Sequence, residues 1–457
     1  MLFLNNQEYM NTLIDFIKNT EYVNLSKDVQ KQAKKCFFDL SGVICCGAKN
    51  NSAKKAAKYV TKNYPTGRYS ILATGDKTNL IGAALANGMA ANALDMDDGY
   101  SLLRGHPGAG FFGALLSAAE GSECTYGEFL SALVVAYEIS IRQGYAIRDF
   151  YGWDHSSGSY ATFATAASVG KLLHLDDAEM NMALGISDFI MPVNPAKRSC
   201  YVPSMNKDGI YWGQHAGTQA VMMAKSGITG RNPVILDDKY FPYLDTLGDK
   251  FYMFDLYIKF YSCCRWAHSP ISAVASLISE YSIPYNQIDK VDVYSFGNAG
   301  TLYKCAPHNE DEAQYNILYP IAAQIVFGDC GPLESSTTKM LDPRIKPMID
   351  RIKFHHEPKY DKVFPAKRLS RVELTLNTGQ KLVSDAFEPK GDYNSDVSME
   401  DIKYKVYKMN RLYAENDVID PFVDAVLNTK PEESFSKVFN AIKILSITNI
   451  HPEIKFI

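Results

Sequence analysis

The sequence predicts a mainly α protein, with a large helical bundle followed by a smaller α+β domain. The chain has 457 residues, which is more than one hydrophobic core usually supports, so two domains are expected. Residues 7 to about 240 carry apolar side chains at helical spacing, and the loops between them are short. After Trp266, segments with alternating apolar residues appear between helices, as they do in a sheet.

The composition is that of an ordinary globular protein. It is 46% hydrophobic and 21% charged, and its formal net charge of −4 argues against a broad nucleic-acid surface. No apolar run approaches membrane-spanning length, and Met1-Leu-Phe-Leu is too short for the core of a signal peptide. We therefore expect no nucleic-acid partner and no membrane partner.

The number and spacing of the cysteines indicate that they are reduced thiols. Nine is an odd number, and adjacent pairs occur at Cys45-Cys46 and Cys263-Cys264, but no CxxC spacing is present. This pattern indicates neither a disulfide framework nor a zinc site. A cytoplasmic location is the simplest expectation.

The helices of the first part follow one another closely. Ser26 is the expected N-cap of the second helix, because an apolar periodic segment begins just after it. The predicted positions are 7–20, 29–43, 51–64, 80–95, 110–120, 126–150, 160–173, 177–186 and 209–226.

The second part mixes helices with strands. Strands are predicted at 290–296 and 351–356, and the turn Asn377-Thr-Gly379 between 371–376 and 380–383 is typical of a hairpin. Further helices are predicted at 270–281, 313–327 and 337–348, and after the N-cap Ser398 at 399–415, 421–427 and 434–444.

A burst of carboxylates follows the helix predicted at 80–95. In a continuous helix Asp95 and Asp98 would share one face, while Asp97 would point elsewhere. Small residues upstream would let this backbone pack tightly, so the acids and the following His106 would lie in a desolvated crevice where pKa values are tuned. The alternatives are ordinary helix-capping residues, or an oxygen-rich Mg²⁺ site.

Two polar side chains stand just before predicted helices. His155 would face the positive end of a helix dipole, which favours a neutral imidazole that acts as a base or a donor. Lys207 is placed to bind an anion beside free backbone N–H groups, and partial burial would lower its pKa enough for a base. The alternatives are a structural histidine and a surface lysine.

Another polar pair lies at the predicted domain boundary, where clefts form. Arg265 could hold a carboxylate with two parallel hydrogen bonds, and His268 could transfer a proton. The remaining histidines lack comparable surroundings and are interpreted as structural or exposed. They are His174, His215, His308, His355, His356 and His451.

Six segments in this order resemble the MmgE/PrpD family, whose members include 2-methylcitrate dehydratase, cis-aconitate decarboxylase and a fungal epimerase of a small dicarboxylate. The likeness covers nearly the whole chain. The segments are Asp95-Met-Asp-Asp, His106-Pro107, Gly152-Trp-Asp-His155, Lys207-Asp-Gly-Ile-Tyr-Trp-Gly with Gly227-Ile-Thr-Gly230, Tyr261-Ser-Cys-Cys-Arg-Trp-Ala-His268, and Ala313-Gln-Tyr-Asn-Ile-Leu-Tyr319.

The resemblance implies an architecture. A large helical domain is expected from both ends of the chain, 1–268 and 398–457, with an inserted α+β lid domain at 269–397 and a cleft between them. It also implies a homodimer, a small carboxylic acid as substrate, and no metal or organic cofactor.

The resemblance also implies site residues. The family's active-site positions fall on Asp95, His106, His155, Lys207, His268 and Tyr319. We expect the first five to be catalytic, and Tyr319 to bind substrate together with Lys207 and with Arg265, which the residues at the domain boundary indicate. The sequence departs from the decarboxylase-like members after Lys207, where Asp208 begins a segment that carries a histidine in those members. The spacing from Asp95 to His106 is also longer than in the family.

The expected function is a cofactor-independent lyase that transfers a proton at a carbon next to a carboxylate. Lys207 and Arg265 would hold carboxylates, His155 or Lys207 would be the base, and His106 the acid. Asp95 would orient His106 or His155, and His268 with Tyr319 would complete the donor set from the lid side. The reaction would be dehydration of a 2-methylcitrate-like acid or decarboxylation of a cis-aconitate-like acid. The alternatives are an epimerase of a small dicarboxylate and a non-catalytic dimeric binding protein.

Overall fold

The computed structural model describes residues 2–452, with side chains from residue 6 onward. The protein is mostly helical, with 58% helix, 9% strand and small sheets, which confirms the mainly α prediction. No helix in this range is long and apolar enough to cross a membrane. Two parts of the sequence predictions lie outside the described residues. They are Met1, the first residue of the N-terminal segment judged too short for a signal peptide, and residues 453–457 of the predicted C-terminal helical segment.

Helices fill the first part of the chain, and Ser26 caps the second of them as predicted, its Oγ accepting from the Val29 N–H. Their bounds are α1 Leu2–Asn19, α2 Lys27–Gly47, α3 Asn51–Asn63, α4 Leu80–Asn92, α5 Ala109–Ser122, α6 Tyr126–Tyr151, α7 Ser157–Leu172, α8 Asp177–Ile190, α9 Arg198–Tyr201 and α10 Ile210–Lys225.

Small residues let the central helices of this part meet backbone to backbone. A Cβ on Gly113 of α5 would stand 2.4 Å from the Asn87 carbonyl carbon of α4, and one on Gly213 of α10 would stand 2.3 Å from the Gly158 oxygen of α7. Such approach is open only to glycine, so these helices form a rigid support for the loops at their ends.

Two short antiparallel ribbons accompany the helices and were not predicted. The strands β1 Tyr69–Ser70 and β2 Lys77–Thr78 form one ribbon, and β3 Gly99–Tyr100 and β4 Leu256–Tyr257 form the other. The second ribbon ties the segment after α4 to a segment 158 residues later, since Gly99 pairs with Tyr257.

The α+β part contains a four-stranded sheet in the order β6-β5-β7-β8, with β5 parallel to β6 and antiparallel to β7. The predicted strands and the hairpin of β7 and β8 are confirmed. The elements are α11 His268–Tyr281, β5 Ile288–Ser295, α12 Glu310–Gln314, α13 Tyr319–Phe327, α14 Thr337–Met340, α15 Ile345–Arg351, β6 Ile352–His356, α16 Pro358–Asp361, β7 Ser370–Leu376 and β8 Lys381–Val383.

Four predicted helices are shorter than expected, and one of them, predicted at 399–415, ends at Asn410. The helix predicted at 313–327 is broken because Asn316 Oδ1 accepts from the N–H groups of Leu318 and Tyr319 and starts a new helix there. The helix predicted at 337–348 is interrupted before Pro343, which cannot continue it. The helix predicted at 80–95 ends at Asn92.

The C-terminal helices α17 Met399–Asn410, α18 Asn416–Asn428 and α19 Ser436–Ile447 pack on α2. Ring centroids of Phe38 and Phe422 are 6.3 Å apart, and those of Phe37 and Phe435 are 6.1 Å apart. We call α1–α10 with α17–α19 the helical half, and α11–α16 with β5–β8 the α+β half. That residues 269–397 act as a lid domain stays a prediction.

Candidate active site

The carboxylates after α4 lie in a buried turn, residues 95–98, which we call the acidic turn. Asp95 has a φ of 50°, in the left-handed region, so the chain leaves the helical path here. The prediction that Asp95 and Asp98 share a face is therefore wrong. Asp98 accepts from the Gly108 N–H at 3.0 Å and from the Tyr137 hydroxyl, whereas Asp95 and Asp97 both face His106.

His106 and Asp97 form an ion pair with a fixed geometry. The Nδ1 atom of His106 is 2.7 Å from Asp97 Oδ2, and Asn92 donates to the other Asp97 oxygen at 2.8 Å. Burial opposes a charge on the imidazole, but Asp97 and Asp95 outweigh it and raise the pKa of His106. The same pairing lowers the pKa of the buried Asp97. The Nε2 atom is left for chemistry, 3.7 Å from Asp95 Oδ1.

A lysine that the sequence analysis missed completes this cluster. Lys259 follows β4, is 1% exposed, and donates to Asp95 Oδ1 at 2.7 Å and to the Asp95 carbonyl at 3.0 Å. Burial would lower the pKa of Lys259, but Asp95 and Asp97 raise it above its usual value, so the amine stays charged. The available signal was a lysine inside the apolar segment Leu256-Tyr-Ile-Lys-Phe, since a buried lysine needs an acidic partner.

The same residues bear on the Mg²⁺ alternative. Asp95, Asp97 and His106 each offer a ligand atom within 4.8 Å of one another, but Asp98, the third acid of the predicted site, points away from this group. The ammonium group of Lys259 already supplies a positive charge to Asp95. Electrostatics thus gives this donor set no need for a divalent cation.

Asp208 faces the imidazole from the opposite side. Its Oδ2 is 3.4 Å from His106 Nε2 and accepts from the Tyr315 hydroxyl at 2.9 Å. Ser199 donates to the other oxygen at 3.2 Å. Burial raises the pKa of Asp208. Tyr315 belongs to the segment between α12 and α13, so the α+β half contributes directly to the site.

Lys207 lies beside the site and is held by acceptors. Its ammonium group donates to the carbonyls of Asn92 and Ala93, both at 2.9 Å, and to Gln314 Oε1 at 2.5 Å. All three N–H bonds are therefore used. Here the lysine fixes the end of α4 against the α+β half, and acting as a base would require it to release these contacts and lose a proton.

A pocket opens between the two halves, in front of His106. The free space of this pocket, including its mouth to solvent, is about 530 Å³. Four arginine and lysine side chains line it, against the carboxylates of Asp154 and Asp208, so it is suited to an anion. The lining residues are Arg104, His106, Asp154, Ala196, Lys197, Cys200, Asp208, Tyr257, Cys264, Arg265, Trp266, Tyr315 and Arg368.

Arg265 lines this pocket as predicted, with its charge already paired. Its Nη2 atom is 3.1 Å from Asp392 Oδ2, and its N–H groups also donate to two backbone carbonyls. His268 lies behind it, with Nδ1 accepting from Arg265 at 3.3 Å and Nε2 donating to the Cys263 carbonyl at 3.1 Å. Burial, together with Arg265, holds the pKa of His268 well below its usual value, so His268 is a neutral support for Arg265.

His106 and Arg265 are the predicted site residues that line the pocket; Asp95, Lys207 and His268 lie behind its walls, and His155 and Tyr319 are not part of its lining either. His155 stacks on Trp153 with ring centroids 3.8 Å apart, and no described contact joins it to His106, although the neighbouring Asp154 is a lining residue. Burial lowers the pKa of His155 to about 4, so the ring is neutral, as expected. Tyr319 is in the α+β core, where its hydroxyl donates to the Glu334 carbonyl.

The chain is similar to known proteins over most of its length. The models of the MmgE/PrpD N-terminal domain and of the MmgE/PrpD C-terminal domain match residues 11–251 and 261–431. A cis-aconitate decarboxylase from Aspergillus terreus is 23% identical over 423 residues, which cover 80% of this chain and 82% of the relative. The cis-aconitate decarboxylase-like protein oryM from Aspergillus oryzae is 23% identical over 475 residues, which cover 94% and 96%.

Proposed function

The chain belongs to the MmgE/PrpD family, and from that premise we propose that it is a lyase that moves a proton at a carbon next to a carboxylate of a small di- or tricarboxylic acid. The observation that carries the proposal is the His106–Asp97 pair, which stands at a pocket walled by cations. An acid or base must lie within reach of the reacting carbon, and cations must hold the carboxylates and the developing charge.

His106 is the proton donor in this proposal. Asp97 holds Nδ1–H, so the second proton of the imidazolium is on Nε2, which faces the pocket. The raised pKa of His106 favours the protonated ring, the form that a general acid requires. The ion pair of Lys259 with Asp95 lies beside the ring and fixes the charges around it.

The reaction that we favour is decarboxylation of a cis-aconitate-like acid, which the names of the relatives support. The C–C bond to a carboxylate next to the CH₂ group breaks, and CO₂ leaves. The released electron pair forms a new double bond, and the electrons of the old one move to the distal carbon, beside another carboxylate. That carbon takes one proton from His106, and the cations of the wall stabilise the transient charge.

Dehydration of a hydroxy acid is the second candidate, and the position of Asp208 favours it. Dehydration needs a base and an acid together, and Asp208 Oδ2 lies 3.4 Å from His106 Nε2. Asp208, whose pKa burial raises, would take the proton from carbon. His106 would protonate the hydroxyl group, which leaves as water while the C–H electron pair forms the double bond.

One assay separates these reactions. The purified protein is incubated with cis-aconitate, citrate and 2-methylcitrate, while alkene absorbance and CO₂ release are followed. We expect one CO₂ per molecule of cis-aconitate consumed. An alkene formed without CO₂ from a hydroxy acid would instead identify a hydro-lyase. Thermal stabilisation by these acids without any turnover would contradict the proposal and indicate a binding protein.

We also propose a cytoplasmic homodimer. All nine cysteines are free thiols, and eight of them are buried or partly buried, which fits a reducing compartment.

The homodimer has its own test: light scattering should give twice the chain mass of 51.0 kDa. A mass equal to that of one chain would contradict the dimer.

A further inference from the structure

Arg368 reaches from the α+β half into the pocket and contacts the helical half. The residue lies just before β7, and its side chain is 1% exposed. Its Nη1 donates to Ser101 Oγ at 2.7 Å and its Nη2 donates to the Ser101 carbonyl at 3.3 Å. Ser101 directly follows β3, so this contact crosses the seam between the halves.

The charge of Arg368 has no acidic partner among the described residues. Arg104 pairs with Asp154, and Arg265 pairs with Asp392, but no carboxylate of residues 6–452 comes within 4.0 Å of the Arg368 nitrogens. Its Nε is buried and without a hydrogen-bond partner. A buried cation without a counter-charge is costly, so proteins keep one where a ligand supplies the charge.

An aromatic ring holds this guanidinium in place. Tyr257 packs against both arginines, with Arg368 5.1 Å and Arg265 4.8 Å from its ring centroid. Planar guanidinium groups stack well on aromatic rings and keep their N–H edges free for a carboxylate. Tyr257 is itself fixed by the β3–β4 ribbon, so the orientation of Arg368 is set before a ligand arrives.

We propose that Arg368 is the anchor for one carboxylate of the substrate, and that it distinguishes tricarboxylates from acids with fewer carboxylates. The inference rests on the proposed function for the identity of the ligand class. It differs from the sequence-based prediction, which assigned this task to Lys207 and Arg265. Arg265 already has Asp392 as its counter-charge, and the N–H groups of Lys207 already have three acceptors. A carboxylate bound by Arg368 would also bridge the two halves.

The test measures binding of propane-1,2,3-tricarboxylate, a saturated acid that can neither lose water nor lose CO₂ by the allylic route. Calorimetry compares the wild type with Arg368→Met, Arg368→Lys and the matched control Arg371→Met, whose guanidinium stacks on Tyr294 outside the pocket. We expect Arg368→Met to raise Kd about 10- to 100-fold, as loss of a charged hydrogen-bonding partner does. Arg368→Lys should restore part of the affinity, and Arg371→Met should bind as the wild type does.

Two further readouts separate an anchor from a structural arginine. Without ligand, Arg368→Met should melt at the same temperature as the wild type or higher, because it removes an uncompensated buried charge. Pentanedioate, which has one carboxylate fewer, should bind the wild type and Arg368→Met with similar Kd. An unchanged Kd for the tricarboxylate, or equal losses for both acids together with a lower melting temperature, would overturn the inference.

The outcomes also distinguish this inference from the proposed function. Turnover of a polycarboxylate by Arg368→Met with unchanged KM would overturn the anchor and leave the lyase intact. Normal Arg368-dependent binding without turnover of any acid would overturn the lyase and leave the anchor intact. Failure of the wild type to bind any carboxylate would overturn both.

Discussion

Asp97 decides which nitrogen of His106 faces the pocket. Asp97 Oδ2 accepts a hydrogen bond from His106 Nδ1–H at 2.7 Å. The ring is therefore held with Nε2 near the carboxylates of Asp95 and Asp208 and directed toward the pocket. The carboxylate also stabilises the charged ring, which raises the pKa of His106. One side chain therefore sets the orientation of the acid and the pH range in which it works.

Asp97→Asn should move the pH profile. His106 donates its proton only when it is charged, so kcat/KM of the wild type falls as pH rises through the raised pKa of His106. Without the carboxylate that pKa drops, and the alkaline limb should shift to lower pH, with kcat reduced about 100-fold or more. An alkaline limb that stays at the same pH would show that another group titrates. The exposed His308→Gln variant serves as a control.

The sequence allowed part of this site to be predicted. Asp95, His106 and Arg265 stand out locally, because charges cluster beside a helix or at a domain boundary. Lys259 and Arg368 do not stand out in the sequence. Lys259 is 164 residues along the chain from its partner Asp95, and Arg368 is 267 residues from its partner Ser101. Such proximity depends on how the halves pack, and no spacing within one segment indicates it.

The ribbon of β3 and β4 is the element that aligns the site. It joins the acidic turn to the segment that carries Lys259, and it places Tyr257 under both arginines. Gly99 makes this pairing close, because a Cβ at that position would stand 2.2 Å from the Tyr257 ring. The site thus depends on a strand pair only two residues long.

Gly99→Ala should damage substrate binding without unfolding the protein. The added methyl group must displace the Tyr257 ring, at an expected cost of about 1–3 kcal/mol in unfolding free energy, and both guanidinium groups would move with the ring. KM for the substrate should rise more than kcat falls. Gly297→Ala is the matched control, because the nearest atom to its Cβ is 3.2 Å away at the exposed His356. Wild-type KM in Gly99→Ala would disprove the role of the ribbon.

The acidic turn also makes stability depend on pH. Burial raises the pKa of Asp98 to about 7, well above its value in the unfolded chain. The folded state then binds a proton that the unfolded state has lost, so this carboxyl group costs stability as pH rises from about 4 to 7. Asp98→Asn keeps an acceptor oxygen for the Gly108 N–H, presents an amide NH2 group to the Tyr137 oxygen, and does not titrate.

The melting temperatures of Asp98→Asn and the wild type should therefore diverge with pH. The melting temperature of the variant minus that of the wild type should increase by about 2 °C or more from pH 5 to pH 8, as measured by calorimetry. The exposed Asp385→Asn variant should show no such trend. A difference between Asp98→Asn and wild type that is constant over this range would contradict the account.

Predictions of elements succeeded where one pattern persists along a segment. The alternation at 290–296 and the Asn377-Thr-Gly379 turn gave β5 and the β7–β8 hairpin, and long apolar periodicity gave α6 and α10. The predictions failed where a local interaction overrides the pattern of the segment. Asn316 starts a new helix with its side chain, and the backbone after Asn92 turns at Asp95. Strands of two residues carry too little pattern to be predicted.

At the scale of the whole molecule, the C-terminal helices support the site from behind. Lys405 of α17 donates to Asp39 Oδ1 of α2 and to the Met96 carbonyl in the acidic turn, both at 2.7 Å. All three groups are buried, so the N-terminal and C-terminal parts of the chain meet at this point. The return of the C-terminal helices to the first bundle could be stated from the family resemblance, but no residue pattern showed it.

Lys405→Met should destabilise the protein strongly. It leaves the buried Asp39 carboxylate without its cation, which costs about 3–5 kcal/mol of unfolding free energy. Lys408→Met is the matched control, since its exposed pair with Asp329 contributes at most about 1 kcal/mol. Adding Asp39→Asn to Lys405→Met should recover part of the loss. Equal denaturation midpoints for the two lysine variants would contradict this role.

The central claim is that His106 delivers a solvent-derived proton to a carbon beside a carboxylate, in a pocket shared by both halves. The most direct measurement is turnover of cis-aconitate in D₂O, followed by NMR, for the wild type and His106→Asn. The account predicts one deuterium at a carbon next to a carboxylate of the product, and a rate at least about 100-fold lower in the variant. Product without deuterium at carbon, or a variant that is as fast as the wild type, would contradict it.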